Sequence, residues 1–142
     1  MSGQQPDKLY ERVSESFEKQ SFLSLIGAQI EHVEAGRVAI SCKRKDTLLQ
    51  QQGLLHGGVI TTLADVASGY AALTSMPEGT EVLTVELKIN LMRPAVTNQI
   101  IAVGEVIKAG KTLVVVEATV TDEEHKILAK MISTMFATRA KA

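Results

Sequence analysis

Four shortages narrow what this chain of 142 residues can be. Cys42 is the single cysteine, so no intrachain disulfide can form and no cysteine cluster can hold a metal. Its expected role is that of a small buried hydrophobe. Charge of one sign is scarce: 15 Lys and Arg against 16 Asp and Glu leave a net charge of -1, which offers no basic surplus for nucleic acid. Long apolar runs are missing. The first residues, Met-Ser-Gly-Gln-Gln-Pro-Asp-Lys, carry no apolar signal-peptide core, and the most apolar stretch meets Asp65 before it reaches bilayer length. The expectation is a cytoplasmic protein that binds neither membrane nor nucleic acid. Aromatic residues are only 4% of the chain, which leaves open whether a ligand is aryl or aliphatic, since an aryl group can sit in an aliphatic pocket.

Missing motifs exclude further classes. The histidines at 32, 56 and 125 show no ligand-like spacing with Asp or Glu, and no His-Glu-x-x-His occurs, so no metal is expected. Gly-x-Ser-x-Gly is absent, which removes the serine hydrolase elbow. The run Gly104 to Thr112 looks like a phosphate loop, but five residues separate its glycines where four are required. A strand pattern, Leu113-Val114-Val115-Val116, follows it in place of a helix.

What is present fits one domain: 45% hydrophobic and 22% charged residues in a length that buries one core. Residues 6–20 read as a helix, with Leu9, Val13 and Phe17 at four-residue spacing and Pro6 suited to a first turn. This segment, residues 1–20, is a lid or packing helix ahead of a domain spanning 21–142. Leu25–Val33 and Arg37–Lys43 read as a hairpin about Glu34-Ala35-Gly36. Val59–Ser75 carries Ile60, Leu63, Ala67 and Ala71 on one helical stripe, stopped by Pro77 and Gly79. From Val82 the period becomes two, with Leu83, Val85, Leu87, Ile89 and Leu91 predicted to form one buried strand face. Strands over Ile100–Lys108, Thr112–Thr121 and Ile127–Thr138 follow, joined by short turns that favour antiparallel pairing. A long helix on an antiparallel sheet is an α+β domain.

The most informative stretch is Gln50-Gln51-Gln52-Gly53-Leu54-Leu55-His56-Gly57-Gly58, continuing through Val59-Ile60-Thr61-Thr62-Leu63-Ala64 to Asp65. Gly57 and Gly58 present bare N–H groups at a helix start, where the first donors have no intrahelical partner and can hold a developing oxyanion. Asp65 lies among Leu63, Ala64, Val66 and Ala67, where an ionised carboxylate is costly unless paired, wet or functional. Asp65 is therefore a candidate nucleophile or general base, against the alternative of a helix carboxylate satisfied by its neighbours. Eight residues of helix span about 12 Å, so Gly57 and Asp65 of one chain cannot flank one carbonyl. They meet only across a subunit contact, and Thr61, Ser68, Gly69 and Ala72 are small enough to let another element approach.

This block resembles the signature of the hotdog-fold acyl-CoA thioesterases, in particular the phenylacetate-pathway (PaaI-like) type, with its Gly-x-x-His-Gly-Gly run and an acidic residue in the central helix. Thr84 to Ala95, with its Arg93-Pro94-Ala95 turn, is similar to the family's strand after that helix. The resemblance implies a hotdog fold, with a long central helix wrapped by an antiparallel sheet, and acyl-CoA hydrolysis with no cofactor besides the coenzyme A of the substrate. It also implies a homodimer or homotetramer with sites at the dimer interface. By resemblance, Gly57 polarises the thioester carbonyl, where its alternative is a glycine needed only for the turn. His56 orients the thioester or meets the leaving sulfur, or else bonds to backbone as a helix-start histidine. Gln50 bonds the carbonyl or positions water, or is a plain loop residue. Thr84 places a hydroxyl near the carboxylate, or is a plain strand threonine. Arg93 and Lys111 are the candidates for the coenzyme A phosphates, against solvated surface charges. The chain departs from some relatives at Gly69, where they carry Ser or Thr; Ser68 stands one step earlier. A non-catalytic acyl-CoA-binding domain and a hydratase or dehydratase are the alternative functions.

Overall fold

The helix Gly57–Leu73 forms where the sequence stops spending residues on polarity: its turns are built from Ile60, Leu63, Ala64, Ala67, Ala71 and Ala72, all buried. His56 begins it, extended at φ -62° and ψ 136°, and its ring nitrogen accepts the Gly58 N–H. Thr74 and Ser75 end it by donating their hydroxyls to the Ala71 and Ala72 carbonyls, at 2.6 and 2.7 Å. A computed structural model describes residues 6–139; the outermost limits of the two expected segments, at 1–5 and 140–142, lie outside the described residues.

In chain order the elements are α1 (Pro6–Glu18), α2 (Ser21–Ile26), β1 (Ala28–Glu34), β2 (Arg37–Lys43), a 3-10 turn (Asp46–Leu48), α3 (Gly57–Leu73), β3 (Thr80–Leu91), β4 (Gln99–Ala109), β5 (Leu113–Thr121) and β6 (Ile127–Arg139). The six strands form one sheet in the order β1-β2-β4-β5-β6-β3, and every neighbouring pair is antiparallel. The sheet wraps α3, which is the hotdog arrangement. Alternation places Val114, Val116, Ala118 and Val120 of β5 against the helix, each fully or almost fully buried. Burying side chains of that size stabilises by roughly 1.5 kcal/mol or more each. The helix sits unusually close to β4 because residue 104 has no side chain: a Cβ at Gly104 would lie 2.5 Å from the Ala67 carbonyl oxygen.

Two expectations are corrected. Leu25 and Ile26 belong to α2 and not to a strand. Leu23 and Ile26 are buried at a spacing of three, and Gly27, at φ 82°, closes the helix with its N–H on the Leu23 and Ser24 carbonyls. The alternating face of β3 is also not buried in the single chain: Leu83, Val85, Leu87 and Leu91 are 57, 57, 39 and 53% exposed. β3 is an edge strand, and its bulge between Thr84 and Glu86 shifts the register. Leu83 therefore pairs with Phe136 on one face while Leu87 and Leu91 pair with Ser133 and Ala129 on the other, where Ile89 alone of the predicted set packs against the core. α1 packs by Leu9 and Val13, both in the same core as α3. Arg12 ties it down by donating to the Met76 and Pro77 carbonyls, each at 2.7 Å. Cys42 is buried, and burial pushes its thiol up from its ordinary value. Among the described residues no helix is long and apolar enough to cross a membrane.

Candidate active site

Asp65 lies on the face of α3 that looks toward β3, and the sheet register explains what it meets. The helix and strand run antiparallel: a side chain on Gly69 would touch Val82, and one on Gly57 would meet Leu91. Thr84 falls between them, and its hydroxyl donates to Asp65 Oδ1 at 2.7 Å. The bulge that follows Thr84 is where the pairing with β6 slips, so the strand turns its hydroxyl inward at this point. Met135 Sδ stands 3.3 Å from the same hydroxyl oxygen, on the side facing the core. Asp65 is half-buried, and its second oxygen has no partner among the described residues.

At the other end of α3, His56 Nδ1 accepts the Gly58 N–H at 3.0 Å, which leaves the ring proton of the neutral tautomer on Nε2. The backbone-bonding alternative for His56 is therefore present, and it frees an exposed Nε2–H as a donor. The Gly57 N–H has no acceptor among the described residues. A Cβ there would stand 2.9 Å from Leu91 Cδ1, so the glycine also keeps the approach to its amide open. Gln50 organises its own turn, with Oε1 accepting from the Gln52 and Leu54 N–H groups; only its Nε2 is left for another partner.

Some expected residues do not converge within one chain. Gly57 and Asp65 are separated by about 12 Å of helix. Lys111 stands beside Thr112, whose carbonyl accepts from Ala137, the partner of Val82; Arg93 donates its N–H to Leu128, just past the partner of Leu91. They lie at opposite ends of β3, about 30 Å apart along the strand. Ser68 is fully buried with an unpartnered hydroxyl, away from the carboxylate's open side, while Gly69 lines a cavity of about 560 Å³ together with Asp65 and Thr84. Sequence reasoning missed this cavity and the wall contributed by Ser16 of α1 and by Gln20, which precedes α2. Among the described residues no group of three or more His, Cys, Asp or Glu side chains is placed to hold a metal ion.

A six-stranded antiparallel sheet around one long helix, with a hydroxyl-held carboxylate in that helix and bare amides at its start, makes this a hotdog domain. The chain belongs to the thioesterase superfamily, which its sequence matches over residues 52–129, and it is a thioester hydrolase. It is 36% identical to a thioesterase family protein from Silicibacter pomeroyi, whose crystal structure aligns with a TM-score of 0.89 over 93% of this chain and 99% of that one. It is 32% identical over 103 residues to the 1,4-dihydroxy-2-naphthoyl-CoA hydrolase of Listeria monocytogenes, covering 72% of this chain and 84% of that protein. The PaaI protein of the Escherichia coli phenylacetic acid degradation operon shares its fold, with a TM-score of 0.88 at 19% identity over 96% of this chain and 97% of that one.

Proposed function

We propose that the chain hydrolyses acyl-CoA thioesters at a site assembled from two copies of itself, with water as the only co-substrate and no separate cofactor. The observation that carries this reading is the pair of Asp65 and Thr84 at the wall of a cavity. The Thr84 hydroxyl occupies Oδ1 and leaves Oδ2 for a substrate carbon or a water. Asp65 acts as the nucleophile or as the general base that takes a proton from water. As general base, Asp65 takes a proton from the water that adds to the thioester carbon, the C–S bond breaks, and that proton passes to the departing thiolate. As nucleophile, Asp65 forms a mixed anhydride as the C–S bond breaks; water then hydrolyses the anhydride to free the acid and the carboxylate, supplying the thiolate's proton. The carbonyl oxygen gains negative charge on the way, and an amide donor aimed at it is worth about 3 kcal/mol.

Gly57 supplies that donor, and the helical separation from Asp65 requires it to come from the second copy. The unpaired edge of β3, with Leu83, Val85, Leu87 and Leu91 exposed, supports a two-fold contact that brings one copy's Gly57 to the other's Asp65. His56 Nε2–H and Gln50 Nε2 are further donors near the same helix start. Arg93 and Lys111 are separate candidates for the coenzyme A phosphates.

The test is free-thiol release from short, medium, long and aryl acyl-CoAs by the wild type and Asp65→Asn. The variant is expected to lose about 10²- to 10⁴-fold in turnover with its melting temperature intact. Undiminished turnover in the folded variant would remove Asp65 from the mechanism. Binding of acyl-CoA without thiol release by the wild type would overturn acyl-CoA hydrolysis.

A further inference from the structure

Gly69 stands in the interior of α3, where glycine destabilises a helix relative to alanine. Its backbone is ordinary helix, and a Cβ built on it meets only Val82 Cγ1, at 3.9 Å. Neither conformation nor packing asks for glycine here, in contrast to Gly104 with its 2.5 Å approach to the Ala67 carbonyl. What the missing side chain leaves is open space in the cavity that begins at Asp65 and Thr84 and continues between α1, α3 and β3 toward Leu73. Asp65 to Leu73 is about 12 Å along the helix.

The side of that space is polar in a particular way. Tyr70, only 4% exposed, accepts a hydrogen bond from Gln20 Nε2 at 2.7 Å and shares another with Ser16 Oγ at 3.0 Å. Two hydroxyls bring two protons, and their mutual contact uses one. Whichever way that contact runs, either Tyr70 or Ser16 keeps a donor with no acceptor among the described residues. Gln20 Oε1 is an acceptor with no partner among them. One free donor beside one free acceptor is the complement of a hydroxyl group. The charged residues of the cavity wall are Arg12 and Lys19 with Glu15, Asp65 and Glu81, and Arg12 is engaged on two carbonyls.

We propose that this cavity holds the acyl group of the substrate, that Gly69 sets its width beside the scissile bond, and that Tyr70, with Ser16 and Gln20, selects medium-length acyl groups bearing a hydroxyl. Tyr70 lies about 7.5 Å along the helix from Asp65, within reach of the far end of such a chain. The inference rests on the hydrolase reading above.

The test compares hexanoyl-CoA with its terminally hydroxylated counterpart, together with acetyl-CoA. The wild type is expected to favour the hydroxylated substrate in kcat/KM by about tenfold, and Tyr70→Phe to erase the preference. Gly69→Leu should raise the ratio of acetyl to hexanoyl turnover at least about tenfold. Gly69→Ala, which should also raise the melting temperature, should move that ratio the same way and replaces the leucine variant if it fails to fold. Calorimetric binding of the matching non-hydrolysable thioether analogues provides a readout free of turnover. Selective binding without hydrolysis would overturn the hydrolase reading and leave the pocket standing. Equal handling of the two hexanoyl compounds by wild type and Tyr70→Phe would overturn the hydroxyl selection. An unchanged acyl-length order in both Gly69 variants would overturn the pocket assignment.

Discussion

At one margin of the sheet β1 runs for seven residues and carries Glu31, His32 and Glu34, with a bulge between Ile30 and His32; at the other, β3 runs for twelve and exposes Leu83, Val85, Leu87 and Leu91. The first margin has the features by which sheets avoid adding strands: short length, charge and a local kink. The second also has a bulge and carries Glu81, Glu86 and Lys88, but it is longer and sets four large exposed apolar side chains among them, and it is the strand that holds the Thr84 hydroxyl on Asp65. The difference teaches that the open edge and the candidate active site are one piece of construction. A chain that needed β3 only for its own core would gain from polar residues in place of Leu83, Val85, Leu87 and Leu91.

Charging β3 is the most severe way to break this comparison. Val85→Lys, at a position already 57% exposed, should leave the single chain folded yet bring like charges together across a two-fold contact. The proposed two-copy site predicts that the oligomer falls to monomer by analytical ultracentrifugation and that turnover falls with it by more than about 10²-fold. Next in size is Gly57→Ala, whose methyl meets Leu91 Cδ1 and narrows the approach to the amide. A loss of about 10²-fold in kcat is expected, partly restored by adding Leu91→Ala; a double variant no better than the single one would argue against obstruction.

Thr84→Val removes the bond to Asp65 Oδ1 and keeps the strand shape. We expect about a tenfold drop in kcat with the oligomer unchanged, measured by thiol release beside sedimentation. At the blunt margin, His32→Val should alter neither mass nor turnover measurably, since its side chain is half-exposed and engages only Glu34. The smallest effect is on alkaline stability. Cys42 sits on β2 opposite Ala28 of β1, and burial raises its thiol above the ordinary value near 9. The unfolded chain therefore loses this proton first as pH rises. The contribution of the protonated thiol is complete below about pH 9 and declines as pH climbs through the raised folded value. Denaturant midpoints of Cys42→Ala should decline less steeply across the alkaline range than those of the wild type.

Much of the architecture was legible in local pattern. The stripe Ile60, Leu63, Ala67 and Ala71 is buried as its spacing predicts, and β5 alternates as expected, because helical and strand periods are properties of neighbouring residues. α2 was misread because Leu25 and Ile26 are apolar in either state. The distinction lies in Gly27, whose left-handed conformation caps a helix. The alternation of β3 marked a strand but not one face, because the bulge after Thr84 puts Leu83 on the side opposite to Leu87, Ile89 and Leu91, and it could not say whether anything covers them. Burial depends on a second surface, and for an edge strand that surface is not in the chain.

The site divides in the same way. Asp65 was conspicuous as an isolated carboxylate in an apolar helix, and Gly57 and His56 as a helix start with bare amides. Both are statements about sequence neighbours, and the sequence by itself determined them, along with the α+β class and the separation of Gly57 from Asp65 on one helix. Only the tertiary structure decided that Thr84 reaches Asp65 across 19 residues, that Arg93 and Lys111 stand at opposite ends of β3, and that Ser16 of α1 and Gln20 at the start of α2 reach Tyr70 across 54 and 50 residues. Those contacts depend on strand register, on a bulge and on helix docking. Each is set by packing between segments distant in the chain, and no local period records it.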